Sequence, residues 1–304
     1  MINRVKITVL ICTYNRGNLI NDTLQSLIEG QTRMSDQIVV VNGGGEYDCQ
    51  STLDHWSEKF IGLKVVSTVN KNLSVSRNIG LDYCDGDLIL QTDDDARVFP
   101  DWVERLEKAH SSYPKAGVIG GDVVDSDGKT FLSQIADAAT FPHYDDMRKV
   151  RSVPGVNSSY KRKVIKDVGK YDEELFRGED VDYNWRAIKS GWDVLYMPDI
   201  KVLHVHRPTW KGLFYQHYMY GKAHYLVRNK WPDMYSSYPL KVHSFYHLLK
   251  LIRSWILAPL DDAYLKSKMI IPKRRIISFL ILWLISLNFR IGSRVQQYIT
   301  NRNI

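Results

Sequence analysis

The sequence predicts an α/β protein: a Rossmann-like mixed, mainly parallel sheet flanked by helices, followed by a C-terminal helical, membrane-associating appendage. Three observations carry this expectation. Short apolar runs alternate with helical patterns through the first half, the signature of βαβ units. The run Asp87-Leu-Ile-Leu-Gln-Thr-Asp-Asp-Asp95 ends in three consecutive carboxylates, as a buried strand does when it delivers polar groups to the edge where open α/β sheets bind ligands. The net charge of +7 is segregated, because from Met234 onward eleven Lys or Arg stand against only Asp261 and Asp262. Residues 1–233 are therefore slightly acidic, and the basic character belongs to the tail.

Taken in order, Val5 to Cys12, Gln37 to Val41, Leu63 to Ser67, Asp87 to Gln91 and Val118 to Gly120 read as strands. Leu19 to Ile28, Thr52 to Phe60, Ser74 to Tyr83 and Trp102 to Ser112 have helical spacing. A further helix runs from Glu179 to Ser190, and Lys201-Val-Leu-His-Val-His206 ends a strand with two histidines at period two. The aromatic stretch Phe214 to Tyr220 and Trp231-Pro232 mark a boundary near residues 210–235. The expected division is thus 1–210, itself in two halves that meet at about residue 97, and then 211–304. Hydrophobic residues at 44% and charged residues at 25% are ordinary globular values and exclude a disordered chain.

The tail decides between two partners of a basic region. Ile276 to Phe289 is uncharged and framed by Lys273-Arg274-Arg275 and Arg290. Apolar residues beside the charges point to an anionic membrane surface and away from nucleic acid. As a helix the fourteen uncharged residues reach ~21 Å, short of the ~30 Å hydrocarbon core, so the segment is expected to lie in the interface or re-enter rather than span. Leu248 to Leu260 supplies a second apolar stretch with Lys250, Arg253 and Trp255 for the headgroup layer. The competing reading packs both helices on the rest of the chain or on a second copy in a homo-oligomer. Cys12, Cys49 and Cys84 are few and lack metal-ligand spacing, which fits a reducing compartment. No charged-then-apolar leader opens the sequence. The expected location is the cytoplasm, peripheral on the cytoplasmic face of the cell membrane.

Polar groups gather at the predicted strand ends: Thr13-Tyr14-Asn15-Arg16, Asn42-Gly43-Gly44-Gly45, then Asn70-Lys71-Asn72 and Ser76-Arg77-Asn78. In a parallel sheet these share one edge with Asp93, Asp94 and Asp95. Three like charges at one strand tip call for a cation, and hard divalent ions such as Mg²⁺ and Mn²⁺ take carboxylate oxygens together with substrate phosphates. Glycines let backbone approach a ligand, and Arg77 can neutralise a phosphate. Singly, Gly43 to Gly45 reads equally as a loose turn and Arg77 as a surface cation. Jointly the set reads as a metal-diphosphate pocket. Glu179 and Asp180 stand in a helical first turn, where the dipole favours carboxylates, and simple capping accounts for an acidic first turn as well.

In this order Ile11-Cys-Thr-Tyr-Asn-Arg16, Asn42-Gly43-Gly44, Ser76-Arg77-Asn78, Thr92-Asp-Asp-Asp95, Gly155-Val-Asn-Ser158, Gly178-Glu-Asp180 and His204 resemble the inverting family 2 glycosyltransferases of the GT-A fold, over about residues 5–210. The resemblance implies a nucleoside-diphosphate sugar donor, held by Thr13, Tyr14, Arg16, Asn42, Gly43, Arg77, Asn78, Asp93 and Asp94. It implies a metal, Mn²⁺ or Mg²⁺, on Asp95, Asp93 and His204, with His206 as the alternative ligand. It also implies catalytic roles at Asp180, the base, and its neighbour Glu179. Asn42 stands where the family usually has an Asp that contacts the base, so the nucleobase stays open. The implied acceptor is a glycan, lipid-linked or at the cell surface. The Gln-X-X-Arg-Trp element of processive synthases is absent, which leads to the expectation of one or a few sugars added. Two rivals are a sugar-nucleotide pyrophosphorylase, for which no glycine-rich activating loop is seen near the amino terminus, and a non-catalytic membrane-bound scaffold, against which the intact acidic motifs argue.

Overall fold

The computed structural model describes residues 4–126, 130–206, 208–234, 243–270 and 272–302. Its strands are β1 (Ile7–Thr13), β2 (Gln37–Asn42), β3 (Leu63–Ser67), β4 (Leu88–Gln91), β5 (Ala96–Val98), β6 (Ala116–Asp125), β7 (Arg148–Lys149), β8 (Ser158–Lys161) and β9 (Asp193–His204). The helices are α1 (Ile20–Ile28), α2 (Gln50–Lys59), α3 (Leu73–Tyr83), α4 (Trp102–Ser112), α5 (Phe131–Thr140), α6 (Arg162–Val168), α7 (Glu179–Lys189), α8 (Trp210–Lys230), α9 (Phe245–Trp255), α10 (Leu257–Ser267) and α11 (Arg275–Arg302).

The strands form one sheet in the order β3-β2-β1-β4-β8-β6-β9-β5, with β7 paired to β9. β1, β2, β3, β4, β6 and β9 run in one direction, and β5, β7 and β8 run against them. The sheet is mixed and mostly parallel, as the alternating pattern predicts. Val9, Leu10, Ile11, Ile38, Val39, Val40 and Val41 are fully buried, and each contributes about 1.5–3 kcal/mol of apolar transfer. One consequence positions the site. The carboxyl ends of β1, β2, β4 and β9, at Thr13, Asn42, Gln91 and His204, lie on one edge, where β8 and β5 begin.

Local chemistry fixes the ends of elements. The side chain of Asn72 accepts from Val75 N at 2.9 Å, so this residue caps α3 at its start. The stretch Leu248 to Leu260 is two helices, α9 and α10, broken at Ile256. Pro259 stands in the first turn of α10, where its missing N–H costs no bond. The strand expected over Val118 to Gly120 is the centre of the longer β6, and β9 begins at Asp193, well before Lys201.

Contacts divide the chain into two units, Met1–Ser126 with His143–Val205, and Asp127–Pro142 with His206–Ile304. The second unit takes α5 out of the segment expected to be continuous from 98 to 210. The reason is apolar: Ile135, Ala136 and Ala138 of α5 cluster with Leu213, Ala263, Leu282 and Ile285. In the first unit, Val118, Tyr160, Tyr183, Val194 and Tyr196 pack α7 onto the sheet. The aromatic stretch from Phe214 lies inside α8, with Leu213 and His217 buried and Tyr215 exposed. The fourteen uncharged residues from Ile276 belong to the 28-residue α11, which measures ~42 Å. The helix is longer than expected because its periodic apolar pattern continues past Arg290 through Ile291 and Tyr298.

Candidate active site

The sheet edge assembles two ion-pair clusters around the acidic run that follows β4. In the first, Arg16 Nη1 lies 2.7 Å from Asp95 Oδ2 and Arg16 Nε lies 3.9 Å from Asp94 Oδ1. His204 Nε2 lies 3.3 Å from the other Asp95 oxygen. His204 reaches this position because β9 pairs with β5, which sets His204 opposite Ala96. In the second cluster, Arg77 pairs with Glu179 and stands 3.7 Å from Asp93 Oδ1. Arg77 is 3% exposed, so it is no surface cation. A guanidinium buried to this extent persists only with carboxylate partners, and Glu179 and Asp93 supply them.

Asp93, Asp95 and His204 each offer a ligand atom, and the three atoms lie within 4.8 Å of one another. Two carboxylates and an imidazole are a donor set that suits Mn²⁺ or Mg²⁺. Burial works to raise the Asp95 carboxyl, but the hydrogen bond and charge of His204, with the charge of Arg16, outweigh it and hold the group down to about 2. The same pairing lifts His204 above the usual histidine value, against the burial that would lower it. Asp94, nearly buried, is pushed up to about 6 by burial despite Arg16. Asp93 is raised by burial against the opposing charge of Arg77.

Asp180 occupies the first turn of α7, after Gly178 turns the chain in the left-handed region at φ 76°. Its Oδ2 accepts from Gly155 N at 3.1 Å and its Oδ1 from Val181 N at 2.8 Å. Gly178 provides no side-chain cap, and these backbone N–H groups hold the carboxylate at the positive end of the helix dipole. Burial, then the neighbouring charge of Glu179, pushes the Asp180 carboxyl up to about 6. Glu179 is committed to Arg77, and Asp182 to Arg186 at 2.9 Å. Asp180 is thus the acid of this turn whose carboxylate rests on backbone N–H groups.

Two residues of the site escape sequence reasoning. Gln91, at the end of β4, donates to Gly155 O at 2.9 Å and accepts from Tyr171 Oη at 3.1 Å. The ring of Tyr171 lies 5.6 Å beneath Arg77. Gln91 thereby fixes the loop that holds Asp180. The available signal was a lone amide closing an apolar strand, since a buried polar side chain needs partners.

Three expected residues have partners elsewhere in the fold. Asn78 donates to Tyr171 O at 3.0 Å and Glu173 Oε1 at 2.9 Å and accepts from Tyr171 N at 2.8 Å. Its amide fastens α3 to the loop before α7. Asn42 bonds Asp48 at 2.9 Å and Gln50 at 3.3 Å and accepts from Gly44 N at 2.9 Å, so its amide shapes its own loop. His206 lies past the end of β9, in the second unit, 3.3 Å from Asp137. It loses the period-two alignment with His204 because strand pairing stops at Asp125 and His204. Thr13 is buried at the end of β1, and its carbonyl accepts from Gly43 N at 2.9 Å. Asn15 N bonds Gly44 O at 2.9 Å, which ties the first two loops together and leaves Tyr14 half exposed. Gly43 to Gly45 is therefore a bonded loop and not a loose turn.

Comparisons with known proteins agree with this architecture. The family described as Glycosyl transferase family 2 matches residues 8–169. The glucosyl-dolichyl phosphate glucuronosyltransferase of Haloferax volcanii is 29% identical over 187 residues, 58% of this chain and 59% of that protein. The pre-mycofactocin glycosyltransferase of Mycobacterium tuberculosis is 27% identical over 54% of this chain and 36% of its own length. The chain therefore spans less than two thirds of these curated relatives. Among solved structures, a mannosyltransferase from Pyrobaculum calidifontis in complex with GDP-Man and Mn²⁺ superposes with TM-score 0.68 at 16% identity, over 98% of this chain and 88% of that one. GalNAc-T7 with UDP, GalNAc and Mn²⁺ gives TM-score 0.59 at 18% identity, over 83% and 54%. These establish the GT-A fold, and with the family match covering more than half of its residues, the chain belongs to glycosyl transferase family 2.

Proposed function

We propose that this protein transfers a sugar from a nucleoside-diphosphate sugar to an acceptor hydroxyl, with inversion and with a divalent metal. The observation that carries the reading is the junction of the two clusters. The Asp93, Asp95 and His204 ligand atoms converge at one point of the edge, and Arg77 links Asp93 to the turn that bears Asp180.

In the proposed mechanism Asp180 takes the proton of the acceptor hydroxyl as its oxygen attacks the anomeric carbon, opposite the diphosphate. A carboxyl raised to about 6 is ionised at neutral pH and more basic than an ordinary Asp, which suits a general base. Arg77 supports the charge that develops on the departing diphosphate, and Glu179 holds Arg77. Asp93, Asp95 and His204 would hold the metal, Mn²⁺ or Mg²⁺, which when bound supplies positive charge for the leaving group. Thr13, Tyr14, Arg16, Gly43 and Asp94 line the donor's nucleoside side in this reading.

The acceptor is proposed to be a lipid-linked or cell-surface glycan precursor, met at the cytoplasmic face of a membrane. The name of the Haloferax volcanii relative, which acts on a glucosyl-dolichyl phosphate, supports this class. The test is Asp180→Asn, which keeps shape and removes the base. Sugar transfer from a labelled donor to extracted membrane glycolipid is expected to fall by about 10²–10⁴-fold, while calorimetric affinity for the nucleoside diphosphate stays within about a factor of two. Retained transfer would remove Asp180 from the role.

A further inference from the structure

The second unit exposes large apolar side chains in an ordered way. On α11, Ile277, Leu280, Leu284, Ile291 and Tyr298 are 47–56% exposed, and their spacing of three, four and seven residues puts them on one face of the helix. Ser278, Leu282, Ile285 and Gly292, between them in sequence, are buried. α9 repeats the arrangement: Phe245, Leu248, Leu249 and Ile252 are 40–73% exposed. Cations border both faces, Lys250 and Arg253 on α9 and Lys273, Arg274 and Arg275 before and at the start of α11.

Two occupants of α11's face need separating first, because the helix is long and apolar enough to cross a bilayer and only 28% of its most apolar window is buried. Its packing argues against crossing. A Cβ built on Gly221 of α8 would stand 1.8 Å from Phe289 O, and one on Gly292 would stand 2.1 Å from Tyr218 O. Asn288 Nδ2 donates to Phe214 O at 2.5 Å. The two helices therefore meet backbone to backbone at glycines. α8 carries Lys211, Lys222, Arg228 and Lys230 together with His217 and His224. A helix so charged is costly in hydrocarbon, and α11 cannot cross without parting from it. Midway along α11, Arg290 donates to Ser254 O of α9 at 2.6 Å and to Ser286 Oγ at 2.9 Å, a further bond that spanning would break.

We propose that α9 and the exposed face of α11 seat this protein on an anionic bilayer in the plane of the interface, entering one leaflet and spanning none. A second copy of the chain is the weaker occupant, since the two faces would bring borders of the same positive sign together. An anionic lipid surface complements that border, and apolar side chains enter beneath it. The proposal deepens the lipid-linked acceptor reading and is independent of the transfer chemistry.

The experiment is flotation of the full chain with vesicles of phosphatidylcholine alone or of phosphatidylcholine with phosphatidylglycerol. The protein is expected to float with the anionic vesicles only, to be released by alkaline carbonate, and to bind more weakly as salt rises. Replacing Lys273, Arg274 and Arg275 together by Gln is expected to weaken binding by about a hundredfold, and Leu280→Asp with Leu284→Asp to abolish it. Unchanged thermal midpoints would show that the variants are folded, and their response to nucleoside diphosphate with Mn²⁺ reports the donor site separately. Equal binding to neutral vesicles, resistance to carbonate, or a dimer in sedimentation that fails to float would each overturn the proposal.

Discussion

The first unit gathers acids at one sheet edge and pairs Asp93, Asp95 and Glu179 with named cations, whereas the second spreads cations around apolar helices and supplies few acids to pair them. At the edge, Asp95 has Arg16 and His204, and Asp93 and Glu179 share Arg77. In the C-terminal helices, Lys273, Arg274 and Arg275 stand exposed beside Ile276 and Ile277. Buried charges demand fixed partners, because desolvation is repaid only by good geometry. Exposed charges beside apolar surface need none, because water or a charged surface satisfies them. Fixed, buried pairs suit a compact, multiply charged ligand, and exposed cations beside apolar side chains fit the proposed seat on a bilayer.

The harshest way to break the contrast is Arg77→Met. It leaves Glu179 and Asp93 without their buried cation, and about 3–5 kcal/mol of stability is expected to be lost, measured by urea unfolding. A loss under about 1 kcal/mol, the range of a surface ion pair, would mean the cluster is solvated. Next in size is Gly221→Ala in the second unit. With Phe289 O in the way, overpacking is expected to cost about 1–3 kcal/mol. Hydrogen exchange should quicken in α8 and α11 while β1 and β2 keep their protection, and equal quickening of both units would show that they unfold as one.

Much of this contrast was legible beforehand. Strands β1 to β4 are continuous apolar runs, and the acids after β4 stand out because no core tolerates three carboxylates. Arg16, Arg77, His204 and Asp180 were picked out by position at strand and helix ends. Side-chain direction was not legible. Asn42 and Asn78 have the right address, but local hydrogen bonding to Asp48 and Tyr171 decides where their amides point. His206 fails for a similar reason, since period two holds only while the strand is paired. The capture of α5 by the second unit depends on Leu213, Leu282 and Ile285, contacts more than seventy positions away that no local pattern encodes. Gln91 was hidden because its role is to hold backbone.

Smaller effects sharpen the comparison within the acidic edge. Asp95→Ala is expected to weaken nucleoside diphosphate binding by about 10–100-fold with metal present, and to leave metal-free affinity unchanged. Titration calorimetry with and without Mn²⁺ measures both, and a variant with the wild-type metal response would exclude Asp95 as a ligand. Asp94 and Asp180 are both raised to about 6, so the Glu179→Gln shift of the pH limb is what assigns it to Asp180. Its carboxyl is raised to about 6, and only the ionised form accepts a proton. Transfer is therefore expected to be level above pH 6 and to fall about tenfold per unit below it. Asp95, held at about 2, stays charged throughout. Glu179→Gln removes the adjacent negative charge and should move the limb to lower pH, and a limb that stays in place would assign it to another group.

The central claim, a metal-diphosphate site at the sheet edge, meets its most direct test in a thermal-shift panel. UDP, GDP, dTDP and CDP are each added with and without Mn²⁺, to the wild-type chain and to Asp95→Ala. The account predicts that one diphosphate raises the midpoint only when the metal is present, and that Asp95→Ala abolishes the rise. The same rise without metal, or none with any of the four, would contradict it.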